Sequence, residues 1–170
     1  PPWDNNTLGI SEDVPYPWTP MKGRVSGGEV VVSCWNRAYH FRSESLLPAM
    51  IVSGGENCLA EPLGVVLRSD GKRILVDRVE HVVTERTEKR WAVHSTCEAG
   101  WGRLETRTHI AFDGFIWVDL LVAPSEAARV EALRLEWRMP PGKSSLLHSG
   151  LRSLANVGRT PDLWHKNLNQ

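Results

Sequence analysis

Twenty residues in the middle of the chain, RLETRTHIAFDGFIWVDLLV at 103–122, leave the fewest choices about how it can fold. Two strand-like runs flank an Asp113-Gly114 turn, and because side chains alternate along a strand, the length of the turn decides which residues share a face. A two-residue turn would set Ile116, Val118, Leu120 and Val122 opposite Ala111, His109, Arg107 and Glu105, an apolar row beside a mostly polar one. A three-residue loop of Phe112, Asp113 and Gly114, with Gly114 left-handed in a bulge, sorts the faces instead. Ile110 then pairs with Ile116, Thr108 with Val118, Thr106 with Leu120 and Leu104 with Val122. The opposite face carries Ala111 beside Phe115, His109 beside Trp117 and the opposite charges of Arg107 and Asp119. The bulged register is the one predicted.

The flanking sequence repeats the β pattern. Glu29–Trp35 and Ala38–Arg42 read as short strands after a Gly27-Gly28 turn, and Ser53-Gly54-Gly55 and Ser69-Asp70-Gly71 read as hairpin turns. Residues 78–87 and 90–98 are polar and Thr-bearing and are placed at a sheet edge or solvated face. In Val130–Met139, Leu133, Leu135, Trp137 and Met139 alternate with Arg134, Glu136 and Arg138, so a period of two accounts for more residues than a helical stripe. About ten to twelve short strands without a long helix predict an all-β fold, an antiparallel β-sandwich over 22–142. Residues 1–21 read as an irregular lead-in packed on the sandwich. Residues 143–170 read as a linker-like tail with a weak helical hint near Leu146–Leu154.

Charge narrows the partners. Twenty Lys and Arg balance twenty Asp and Glu, so no sequence-wide field draws the chain to nucleic acid or to an anionic membrane. No apolar run approaches the length of a membrane-spanning helix, and no signal peptide is visible. Cys34, Cys58 and Cys97 are an odd count without CxxC spacing, which signals neither a disulfide framework nor a zinc site. The first residue is not Met, so the chain is expected to begin inside a longer gene product, and its compartment is not legible.

Chemistry-bearing motifs are sparse. The nucleophile-elbow, phosphate-loop, HExxH and dinucleotide signatures are missing, and no cofactor is implied. The six histidines never fall at metal-ligand spacing, although His94 and His109 are candidates to meet across neighbouring strands. The compositional excess lies in eight Trp against three Phe and two Tyr. An indole fills a core, seats a neighbouring domain or stacks on a sugar ring with one N–H donor at its rim. Trp117, with His109, Arg107 and Asp119, falls on the less apolar face of the hairpin, which is expected to be a carbohydrate-binding or interdomain face.

The segments WDNNTLGISEDVPYPWTPM at 3–21, SCWNRAYHF at 33–41, DGFIWVDLLV at 113–122, LRLEWRMP at 133–140 and LLH at 146–148 carry a resemblance. Together they resemble the N-terminal β-sandwich domain of enzymes similar to glycoside hydrolase family 123, over nearly the whole chain to about His148. The resemblance implies a larger enzyme in which the sandwich precedes a catalytic (β/α)₈ barrel. It further implies β-N-acetylgalactosaminidase activity, with the substrate's acetamido group as nucleophile and an adjacent Asp-Glu pair on the barrel. This chain contains no Asp-Glu dipeptide, so no catalytic residue carries over. The expectation is a non-catalytic module docked on the barrel of the same polypeptide, partly through Trp3 and Trp18. The alternative is a free-standing module binding amino-sugar glycans.

Overall fold

The computed structural model describes residues 13–143, 146–151 and 154–159, and these are all-β, with no helix. One antiparallel sheet runs in chain order through β1 (Lys22–Ser26), β2 (Glu29–Cys34), β3 (Arg37–Phe41), β4 (Met50–Ser53) and β5 (Glu56–Asn57). A second has the order β11-β10-β9-β8, formed by β8 (Glu80–Arg86), β9 (Arg90–Ala99), β10 (Gly102–Ala111) and β11 (Ile116–Pro124). The third places β6 (Gly64–Ser69) between β12 (Val130–Glu136) and β7 (Lys72–Ile74). The turns explain why the meanders close so tightly. Gly27-Gly28, Gly54-Gly55 and Asp70-Gly71 all have positive φ at both central positions, which lets two residues reverse a twisted pair of strands.

The two larger sheets share one core. Val30, Val32, Tyr39, Phe41 and Ile51 of the first belong to the same buried cluster as Trp91, Val93, Cys97, Leu104 and Ile110 of the second, and Val65 and Leu67 of the third complete it. Polar contacts fix the sheets to one another. Thr106 Oγ1 donates to the Leu46 carbonyl at 2.7 Å, and the Tyr39 hydroxyl donates to the Gly114 carbonyl at 2.9 Å. His81 spans the same interface, its Nε2 2.9 Å from the Arg42 carbonyl and its Nδ1 2.9 Å from Ser95 Oγ.

The hairpin at 103–122 has the bulged register. Ile110 pairs with Ile116, His109 with Trp117, Arg107 with Asp119 and Leu104 with Val122. Gly114 sits at φ 86°, its N–H donates to the Ala111 carbonyl, and Asp113 Oδ1 accepts the Phe115 N–H, which closes the three-residue loop. Residues 130–136 form a strand, as their alternation predicts.

Two features differ from the sequence reading. β8 is an edge strand, but β9 lies inside its sheet with Trp91, Val93, Ser95 and Cys97 buried. Its polar look comes from the outward row of His94, Thr96 and Glu98 alone. Within the segment read as a tail with a helical hint, β13 (Leu146–Leu151) and β14 (Leu154–Arg159) pair as an antiparallel hairpin, bringing the described strands to fourteen. Of the lead-in, residues 1–12, including Trp3, lie outside the described residues. Trp18 packs edge-on against Phe112 at the hairpin tip, with ring centroids 5.7 Å apart.

Candidate functional site

The outward face of the second sheet gathers the four residues singled out from sequence. β10 and β11 alternate, so the buried row of Leu104, Thr106, Thr108 and Ile110 sends Glu105, Arg107 and His109 to the other side, where β11 supplies Phe115, Trp117, Asp119 and Leu121. β11 is the edge of its sheet, so among the described residues no further strand flanks this row. Trp117 is 58% exposed and Phe115 60%.

Hydrogen bonds give the face a fixed shape. Trp117 Nε1 donates to Asp119 Oδ1 at 2.9 Å, tying the indole to the carboxylate two residues along the same strand. Arg107 is the register partner of Asp119, yet the two make no ion pair, and Arg107 has none with any described residue. His109 lies beside Trp117 with its Nδ1 buried and without a partner. The cleft between these groups is about 350 Å³ and is lined by Arg90, His109, Ala111, Phe115, Trp117 and Asp119. A second hollow of about 400 Å³ shares Asp119 and reaches Glu105, Arg107 and Leu121.

His94 and His109 do not meet. Register sets His94 opposite Arg107 and His109 opposite Ala92, and His94 Nε2 instead lies 2.7 Å from Glu105 Oε2. Among the described residues no three His, Cys, Asp or Glu side chains gather as a metal ligand set. Among the described residues two four-residue charge clusters are present: His94, Glu105, Arg103 and Glu98 on the second sheet, and on the first Glu29, which faces Arg42 at 2.8 Å, His40 at 3.2 Å and Arg24 at 3.4 Å. The hydrogen bonds from Arg42 and His40 hold its carboxyl below the usual carboxylate range.

Sequence reasoning had not nominated Phe115 or Arg90. Phe115 follows from the predicted register, whereas Arg90 arrives from β9 through its pairing with Ala111, which no local pattern encodes. A second surface was also missed. The core-facing row of β11 runs on past its cover, with Val118 36% and Leu120 37% exposed. On β12, Leu133 and Leu135 pair with the buried Leu67 and Val65 and so face inward, yet they are 49% and 64% exposed. Trp137 and Met139 beyond them are exposed too. The alternation of these four residues was legible; their lack of cover was not.

No protein-family model matches this chain, and no curated protein matches it in sequence.

Proposed function

We propose that this chain is a non-catalytic β-sandwich that docks on a second folded domain, the catalytic (β/α)₈ barrel of a glycoside hydrolase acting on β-linked N-acetylgalactosamine. The observation that carries the docking is the uncovered inward row. Leu133 and Leu135 point to the core side of their sheet but stay about half or more exposed, with no opposing layer among the described residues, and Val118 and Leu120 repeat this more weakly on the other edge strand. Apolar side chains in that position are the ones a partner covers, because burying them removes about 25 cal/mol per Å² of apolar surface from water. The identity of the partner rests on the family resemblance in the segments at 3–21, 33–41, 113–122, 133–140 and 146–148.

Expression of the chain alone and of its full-length gene product tests this reading. The chain alone self-associates or binds a hydrophobic dye, and amides of β11 and β12 exchange faster in it than in the full-length protein. Leu133→Glu with Leu135→Glu removes the dye binding. The full-length protein releases nitrophenol from a nitrophenyl N-acetylgalactosaminide, and the chain alone does not. A monodisperse chain without dye binding, exchanging equally in both contexts, refutes the docking. Release by the chain alone refutes the non-catalytic role.

A further inference from the structure

The geometry points to a pyranose-binding cleft on the outward face of β11, built by Trp117, Phe115, His109 and Asp119. This cleft lies on the opposite face of β11 from the uncovered row, so it does not depend on the docking just proposed. Phe115 immediately precedes β11 and Trp117 is its second residue; because the Phe115 carbonyl still accepts from the Ala111 N–H, the extended pairing carries through and sets the two side chains roughly 7 Å apart on the same face. That spacing presents two flat apolar surfaces along a line, the arrangement that receives the C–H faces of successive sugar rings.

The indole is pre-set for this role. Its N–H is already used by Asp119 Oδ1 at 2.9 Å, which restrains the ring while more than half of the residue's surface stays open to solvent. Holding an exposed ring in one orientation before binding removes part of the ordering cost of association. Asp119 retains a second carboxylate oxygen for a sugar hydroxyl. His109 supplies the complementary group. It lines the cleft with its Nδ1 buried and without a hydrogen-bond partner, and an imidazole ring can donate to or accept from a sugar hydroxyl or acetamido group.

The size and the charge of the cleft agree with this ligand. About 350 Å³ is at the small end of ligand pockets and suits one or two hexose rings. Arg90, at one end, is held by Glu85 with both carboxylate oxygens 2.9 Å from its Nε, so it does not make the cleft an anion site. A wider hollow of about 600 Å³, which includes Trp101, is a weaker candidate. Its lining interleaves Asp70, Asp77 and Glu98 with Lys72, Arg73 and Arg78, and Trp101 is partly packed into the core.

The test is titration of the chain with chitotriose, cellotriose and a trigalacturonate, read by calorimetry and by the indole N–H signals in a heteronuclear NMR spectrum. The expected result is saturable millimolar binding of at least one neutral or N-acetylated trisaccharide, with the Trp117 indole signal shifting most. Trp117→Ala lowers the affinity at least tenfold, Phe115→Ala lowers it severalfold, and Leu133→Glu with Leu135→Glu leaves it unchanged. Thermal melting of each variant verifies that it is folded. Asp119→Asn, which keeps an acceptor for the indole N–H, separates the two roles of that residue by weakening sugar binding while leaving the free indole signal in place. Absence of binding by all three sugars overturns the proposal, as does binding unaffected by both Trp117→Ala and Phe115→Ala. Binding of trigalacturonate alone overturns the neutral pyranose in favour of an anion site centred on the unpaired Arg107.

Discussion

Two threonines on one strand offer a sharp check on how this sandwich is held together. Thr106 and Thr108 are neighbours on the inward face of β10, and both are 0% exposed. Thr106 donates to the carbonyl of the buried Leu46, whereas Thr108 Oγ1 is buried without a partner. Replacing each by Val keeps the β-branched shape, so strand propensity cancels between the two variants. In Thr106→Val a buried carbonyl is stranded, at a cost of about 1–3 kcal/mol. In Thr108→Val an unpaired hydroxyl is removed from the core, which leaves stability unchanged or raises it by about 1 kcal/mol. The two variants therefore separate by about 1–4 kcal/mol, with Thr106→Val the less stable. With a urea slope of about 2 kcal/mol per molar, the unfolding midpoints differ by about 0.5–2 M. Equal destabilisation of both variants, at unchanged slope, would refute the assignment of the Thr106 bond as the tie between β10 and the Leu46 segment.

Other outcomes follow from the same contacts. Burial of His81 between the two sheets, against the Phe41 ring, pushes its pKa below the ordinary histidine value, outweighing the opposite pull of the Arg42 carbonyl and the Glu44 charge. The unfolded chain then takes up a proton near ~pH 6.5 that the folded chain refuses. Stability is full above that pH and falls below it by up to about 1.4 kcal/mol per pH unit. Denaturation curves between neutral and mildly acid pH should be flatter in His81→Gln than in the parent. A Cβ on Gly23 would stand 2.4 Å from the Val31 carbonyl and 2.6 Å from the Trp91 ring. Gly23→Ala is expected to cost about 1–3 kcal/mol by overpacking, measured by urea unfolding. In Gly27→Ala the added atom meets nothing within 4 Å, and only the positive φ opposes it, at about 1 kcal/mol.

Much of the site was legible before the fold. The three-residue loop at Phe112-Asp113-Gly114 and the two-fold alternation suffice to put His109 beside Trp117 and Arg107 beside Asp119, because a hairpin's register is a local property. The reading failed where a residue's environment is made by distant chain. Residues 90–98 looked solvated because half of their side chains are polar, but β9 is flanked by β8 and β10 and its other half is core. Residues 146–159 fall in a tail whose Pro161, Asn167 and Asn169 read as linker, with a weak helical hint near Leu146–Leu154, and the strands there are visible only as a pair.

The sequence by itself determined the strand class, the turns and which residues share each face. Those depend on the pleat, on the left-handed conformation that glycine allows and on steric preferences of neighbouring residues. The tertiary structure alone decided which of those faces are covered. Leu67 and Leu133 are register partners with the same chemistry, yet one is fully buried and the other half exposed, because cover depends on how far the opposing layer extends. It also gave the Asp119 carboxylate to the Trp117 N–H and left Arg107, its register partner, without an ion pair. Side-chain reach in three dimensions sets that choice, and a one-dimensional pattern does not contain it.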